Sequence, residues 1–205
     1  MKSLLIKDFY SLRRQTLAIV TLLLFLLGIV IFLDKDPGSY TIIATLMSTL
    51  MISGVFVQEE RMQWLSFALT MPIERRDYIR GKYILILILA GGGCLWGNLL
   101  VLFTGHIQGA LWMSLVALCM AIGIGSGIIP LTLLWGSDYS RYIIILSSLT
   151  FIGLTLGIIS PYYFLSSAAQ DIKVTRALLF SPLWTIVFSL VCYKFSVHIF
   201  KNKEI

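Results

Sequence analysis

The residues best suited to chemistry or recognition crowd into one stretch, Gln58 to Lys82, which holds nine of the chain's twenty-six charged residues. It reads QEERMQWLSFALTMPIERRDYIRGK, with Glu59, Glu60 and Arg61 at one end, Arg75, Arg76, Arg80 and Lys82 at the other, and Trp64 and Leu65 between. Carboxylates, guanidinium groups and an indole in one short segment suit docking to a soluble partner. Charges select the partner, and a buried aromatic supplies most of the affinity.

Catalytic constellations are missing. Nucleotide hydrolysis needs a glycine-rich loop followed by Lys and Ser or Thr to cradle phosphates. Gly91-Gly92-Gly93 has no Lys after it, and Gly81-Lys82 is followed by Tyr83. The two histidines, His106 and His198, lie far apart, and Cys94, Cys119 and Cys192 have neither disulfide nor metal-ligand spacing. The chain is therefore expected to have no catalytic residue, no metal and no cofactor of its own.

The block must be positioned by apolar elements. Residues are 58% hydrophobic and only 13% charged, where a soluble domain carries about 25% charged residues. A bilayer-spanning helix needs about 20 apolar residues. Six segments approach that length: Leu17 to Leu33, Tyr40 to Val57, Tyr83 to Thr104, Ala110 to Trp135, Tyr142 to Phe164 and Leu178 to Phe200. No alternating pattern of a membrane barrel occurs, so the expected fold is all-α and integral to the membrane, with six transmembrane helices. The first run lacks a small-residue cleavage site and is followed by the turn-like Asp34-Lys35-Asp36-Pro37-Gly38, so it reads as a permanent span.

Lys and Arg gather on the cytoplasmic side of membrane proteins. Under the six-span reading one side holds only Lys35, Lys173 and Arg176, and the other holds the remaining thirteen of sixteen. Both termini and the Gln58 to Lys82 block are thus expected in the cytoplasm of a multi-pass protein. The net charge of +6 follows from this topology and requires no nucleic-acid partner.

The whole chain, 1 to 205, reads as one membrane domain. Residues 1 to 16 have helical periodicity, with Leu5, Phe9 and Leu12 on one face and Ser3, Lys7, Ser11 and Arg14 on the other. This predicts an interfacial helix in the headgroup layer. Within the block, Glu59 to Thr70 is predicted as a flat amphipathic helix with Glu59, Gln63, Ser66 and Thr70 on its polar side. Pro72 then opens a second short helix with Glu74 near its start. On the other side, Asp34 to Ser39 and Gly105 to Gly109 read as tight turns, and Leu165 to Ala177 has room for a short external helix. The pairs Gly93/Gly97, Gly123/Gly127 and Gly153/Gly157 have the spacing that lets helices approach closely. Clear of Lys194 and His198 at the cytoplasmic end of the last segment, the cores of the six expected spans hold no Asp, Glu, Lys, Arg or His, only uncharged polar residues such as Asn98. An ion-coupled carrier would need such groups at depth, so any transport is expected to draw energy from another chain.

The amphipathic N-terminus MKSLLIKDFYSLRRQ, the six spans, and the loop motif Thr70-Met71-Pro72, Arg75-Arg76, Gly81-Lys82-Tyr83 resemble the small permease subunits of ABC-2-type ABC transporters of Gram-positive bacteria. The resemblance implies a coupling helix between spans two and three that docks on a separate ATP-binding subunit, which holds the ATP and magnesium. It also implies a second permease subunit, identical or different, in the bacterial plasma membrane. Carried onto this sequence, Glu59, Glu60, Arg61, Trp64 and Leu65 fall in the coupling element, and Arg75 and Arg76 border it. Relatives of this size imply export of amphipathic or antimicrobial peptides or other hydrophobic compounds. The alternative is a membrane protein that confers immunity, or senses a ligand, without transport.

Overall fold

The computed structural model describes residues 7–8, 10–12, 16–17, 20–24, 37–64, 75–104, 110–164 and 170–202. Among these no strand occurs. Five long helices carry the fold: α1 (Pro37–Arg61), α2 (Arg75–Thr104), α3 (Ala110–Trp135), α4 (Ser140–Phe164) and α5 (Gln170–Asn202). A 3₁₀ turn, Ser137–Tyr139, joins α3 to α4. Ser39–Arg61, Arg76–Leu99, Met113–Trp135 and Ser181–Lys201 are long and apolar enough to cross a bilayer. Most of the expected first span lies outside the described residues, although residues 16–17 and 20–24 are helical.

Several helices run past the ends that apolar periodicity suggested. Pro37 opens α1, so Pro37 to Ser39 belong to the helix and not to the expected turn. Proline is well suited to this place, because the first N–H of a helix has no intrahelical partner. α2 begins at Arg75 and continues unbroken through the third span, so Arg75 to Lys82 belong to the same long helix as Tyr83. α5 begins at Gln170 and absorbs most of the stretch expected to form an external helix. At the starts of α2 and α5 polar residues extend the helix beyond its apolar run, which carries the unpaired terminal N–H groups away from the apolar span.

α1 packs chiefly on α2 and α3, and α3 also packs on α4 and α5. The most buried crossing window is that of α3, 67% buried, and the least is that of α5, 17% buried. α3 is therefore the bundle centre, and α5 turns Leu183, Ile186, Val187, Leu190 and Val191 outward. The core joins Ile52, Val55 and Phe56 of α1 to Ile79, Leu85 and Ile86 of α2 and Ile128 and Ile129 of α3. Thr45 and Thr49 donate their hydroxyls to the carbonyls of Thr41 and Thr45 at 2.6 and 2.9 Å. Polar side chains are thus satisfied inside an apolar helix.

Two glycine pairs stand where neighbouring side chains and backbone leave no room for a Cβ. A Cβ on Gly93 would press on Ser48 and stand 2.9 Å from the Ala44 carbonyl oxygen, and one on Gly97 would stand 2.7 Å from Thr41 Cα. Ser48 uses the close approach to donate to the Leu89 carbonyl at 3.0 Å. Gly123 admits the Phe151 ring, and a Cβ on Gly127 would lie 2.5 Å from Ser147 Oγ, which donates to the Ile124 carbonyl at 2.7 Å. The third pair departs from expectation, because nothing lies within 4 Å of a Cβ on Gly153. The side-chain surroundings of Gly157 lie outside the described residues.

Pro130 lies inside the continuous helix α3. Its missing N–H removes the hydrogen bond that the Ser126 carbonyl would accept. The Tyr83 hydroxyl, arriving from α2, donates to that carbonyl at 3.4 Å.

Candidate functional site

The charged block begins as the last turn of α1. Met62 N–H still bonds the Gln58 carbonyl at 3.1 Å and Gln63 N–H bonds Glu60 at 3.0 Å, but Gln63 takes the left-handed conformation, φ 48°. Such a residue closes a helix. Glu59 to Thr70 is therefore not one continuous flat helix: Glu59, Glu60 and Arg61 complete α1, and helical geometry resumes at Trp64 after a two-residue turn. Residues 65 to 74, Leu65 among them, lie outside the described residues.

Glu59 faces inward and is 7% exposed. Its Oε1 accepts from Lys82 Nζ at 2.7 Å and also from Lys7 Nζ, and its Oε2 accepts from the Tyr78 hydroxyl at 2.7 Å. Lys82 and Tyr78 lie four residues apart on α2 and so share a face. Lys82 Nζ also reaches Asp8 Oδ2 at 3.0 Å, and Lys7 Nζ lies 3.1 Å from Asp8 Oδ1. Two ammonium groups and two carboxylates thus meet with no net charge. Such burial is tolerated only when every charge is paired, and removing one partner costs about 3–5 kcal/mol. Phe56 and Tyr78 flank Lys82, each ring centre 5.3 Å from Nζ, and Tyr78 stacks on Phe200 of α5 at 5.4 Å.

The N-terminal segment is held by the same cluster. Ser11 Oγ donates to Gln58 Oε1 at 2.5 Å, Lys7 Nζ lies 4.3 Å from the centre of the Trp64 ring, and Leu12 is buried. Lys7 and Ser11, expected on a polar face turned to the headgroups, are instead engaged by the end of α1. A groove of about 300 Å³ runs between the two elements, bordered by Tyr10, Ser11, Gln58, Met62 and Trp64.

Glu60 points another way. Its Oε2 accepts the Ser137 backbone N–H at 2.6 Å and so caps the 3₁₀ turn between α3 and α4. Of the expected docking residues, Glu59 is buried, whereas Glu60 is exposed with one carboxylate oxygen engaged by the Ser137 N–H. Arg61 and Arg76 are exposed and Trp64 is half-buried. Met62, at 69% exposure, and Gln63 join them on the outer surface. The side-chain surroundings of Arg75 fall outside the described residues.

Sequence reasoning missed the partners of Glu59. Lys82 read as a basic anchor at a membrane edge, yet it is 2% exposed and lies within the apolar helix Arg76–Leu99. Lys82 stands one residue ahead of the expected third span, Tyr83 to Thr104. Tyr78 and Lys82 at helical spacing were the available signal. Nothing local links either to Asp8. Among the described residues no group of His, Cys, Asp and Glu could hold a metal ion.

The chain matches the ABC-2 family transporter proteins over residues 3–201. Neither a curated protein nor a solved structure matches it. Because the family match runs across nearly all of a chain built from apolar helices of membrane-crossing length, the protein belongs to the ABC-2 family of transporters as a multi-pass membrane component.

Proposed function

We propose that this chain is the transmembrane permease subunit of an ATP-driven exporter, with six crossings, both termini in the cytoplasm and a separate subunit that binds ATP and magnesium. The observation that carries this reading is the family match over residues 3–201. It is supported by the absence from the sequence of any loop able to cradle phosphates. The thirteen-to-three distribution of Lys and Arg supports the orientation.

In this reading the pathway forms between this chain and a second permease subunit in the bacterial plasma membrane. The surface presented to the ATP-binding subunit is Arg61, Met62, Gln63, Trp64 and Arg76. Glu59 acts from behind that surface and the exposed Glu60 at its edge: together they tie its base to the N-terminal segment, to α2 and to the α3–α4 turn. A push on Trp64 would then reach the N-terminal segment and α2 through paired charges, and the α3–α4 turn through the Glu60 hydrogen bond. The apolar spans suit an amphipathic or hydrophobic cargo, such as an antimicrobial peptide.

Co-purification tests the reading. A tagged chain extracted in mild detergent from its native cells is expected to carry an ATP-binding subunit, and the pair is expected to hydrolyse ATP. Recovery of this chain alone under conditions that keep other membrane complexes intact, with no ATP-dependent export in vesicles, would reject it.

A further inference from the structure

A second polar feature lies on the flank of the bundle, away from the Glu59 cluster. α2, α3 and α5 enclose a cleft of about 360 Å³, lined by Arg80, Tyr83 and Leu87 of α2, Ser126 of α3, and Leu190 and Tyr193 of α5, with further apolar wall. Arg80 is exposed and stands four residues inside the Arg76–Leu99 crossing, about 6 Å of helix rise. That is headgroup depth. Its Nε donates to the Tyr193 hydroxyl at 3.3 Å and its Nη1 meets Asp77 Oδ1 at 3.4 Å.

A guanidinium has five donors in a planar fork suited to phosphate oxygens. These two contacts use one donor each, and the Asp77 contact is long and exposed. Below this charge the cleft turns apolar and opens sideways, with Leu87 and Leu190 just over half exposed. The Tyr83 and Tyr193 rings meet edge to face at 5.4 Å and form its floor. A free anion would leave the apolar part unfilled, and a neutral hydrocarbon would leave the guanidinium unmatched. An anionic amphiphile satisfies both ends.

We propose that this cleft binds one anionic phospholipid from the leaflet bordering Arg80, its phosphate on the Arg80 guanidinium and the Tyr193 hydroxyl and one acyl chain laid between Leu87 and Leu190. The site is distinct from the surface proposed to meet an ATP-binding subunit and does not depend on it. Being exposed, Arg80 and Leu190 can be changed without disturbing the core.

The test is native mass spectrometry of the purified full chain, with any co-purifying subunits, titrated with phosphatidylglycerol or phosphatidylcholine. The expected result is one phosphatidylglycerol retained at least tenfold more tightly than phosphatidylcholine. One Lys or Arg contributes on the order of 1 kcal/mol to attraction of anionic lipid, so Arg80→Gln is expected to weaken retention about five- to tenfold. Leu190→Trp, which fills the cleft with no change of charge, is expected to weaken it comparably, and Lys201→Gln to leave it unchanged. The proposal is overturned if the two lipids are held alike or if Arg80→Gln has no effect. It is also overturned if Lys201→Gln costs as much as Arg80→Gln, which marks diffuse attraction to a basic surface, or if millimolar inorganic phosphate displaces the lipid, which marks a site for the anion alone.

Discussion

Lys82 Nζ lies 2.7 Å from Glu59 Oε1 and 3.0 Å from Asp8 Oδ2, so a single buried ammonium joins the start of α2, the end of α1 and the N-terminal segment. Lys82→Met would leave two carboxylates buried against one remaining cation, Lys7. The expected loss is about 3–5 kcal/mol, read as a large fall in the detergent thermal-unfolding midpoint, while exposed Lys194→Ala changes it little. Adding Glu59→Gln to Lys82→Met should restore part of the loss, because it removes one of the uncompensated charges. A double variant no more stable than Lys82→Met alone would show that the pairing does not set the stability.

Docking should depend on the outward residues. A Trp anchored in a partner's groove contributes about 2 kcal/mol or more, roughly thirtyfold in affinity, whereas an exposed charge contributes about 0 to 1 kcal/mol. Trp64→Ala is therefore expected to release an ATP-binding subunit from the tagged permease more fully than Arg61→Ala or Arg76→Ala. Since Glu59 is turned inward, Glu59→Ala should lower the stability of the permease itself. Full retention by Trp64→Ala would make the indole only a seat for Lys7.

The glycine pairs predict opposite outcomes for one substitution. Gly93→Ala places a methyl group against Ser48 and the Ala44 carbonyl and should destabilise by about 1–3 kcal/mol. Gly153→Ala meets nothing and gains helix propensity, about 0.5–1 kcal/mol of stabilisation. Thermal unfolding of the two variants side by side decides this, and equal shifts would refute the packing argument.

Orientation is open to direct chemistry. Cysteines introduced at positions 35 and 64 into a chain freed of Cys94, Cys119 and Cys192 should differ in intact cells. An impermeant maleimide should label position 35 and spare position 64 until the cells are opened. Labelling of both, or of position 64 alone, would reverse or break the topology.

ATP turnover should be absent from the chain alone and present with a partner. The sequence offers no Lys positioned after a glycine loop to hold phosphates. Sustained hydrolysis by a preparation containing only this polypeptide would overturn the division of labour.

Class, helicity and family were legible in the sequence because they rest on long apolar runs and on a motif that stands contiguous in the chain. The close packing at Gly93 and Gly127 was legible for the same reason: the spacing is local and the period is fixed. The fate of Glu59 and Glu60 was not. Adjacent carboxylates in a polar block look alike on paper, yet a rotation of about 100° per residue sends one to Lys82 and the other to Ser137. Their partners come from segments far away in sequence. The helix ends were misjudged because polar residues such as Arg76, Asp77 and Arg80 continue α2 by hydrogen bonding, which hydropathy does not register.

The four charges of the buried cluster come from positions 7, 8, 59 and 82, and this has a consequence for biosynthesis. Lys7 and Asp8 leave the ribosome first and are neutral as a pair. Glu59 follows and upsets that balance until Lys82 emerges and α2 begins to form. Before residue 82 is made, the N-terminal segment has no complete seat, and a chain stopped short of it would hold two carboxylates near one cation at the membrane edge. Ser11 and Lys7 can meet Gln58, Glu59 and Trp64 as soon as α1 is made, but the charge balance of that seat is complete only once Lys82 joins it from α2.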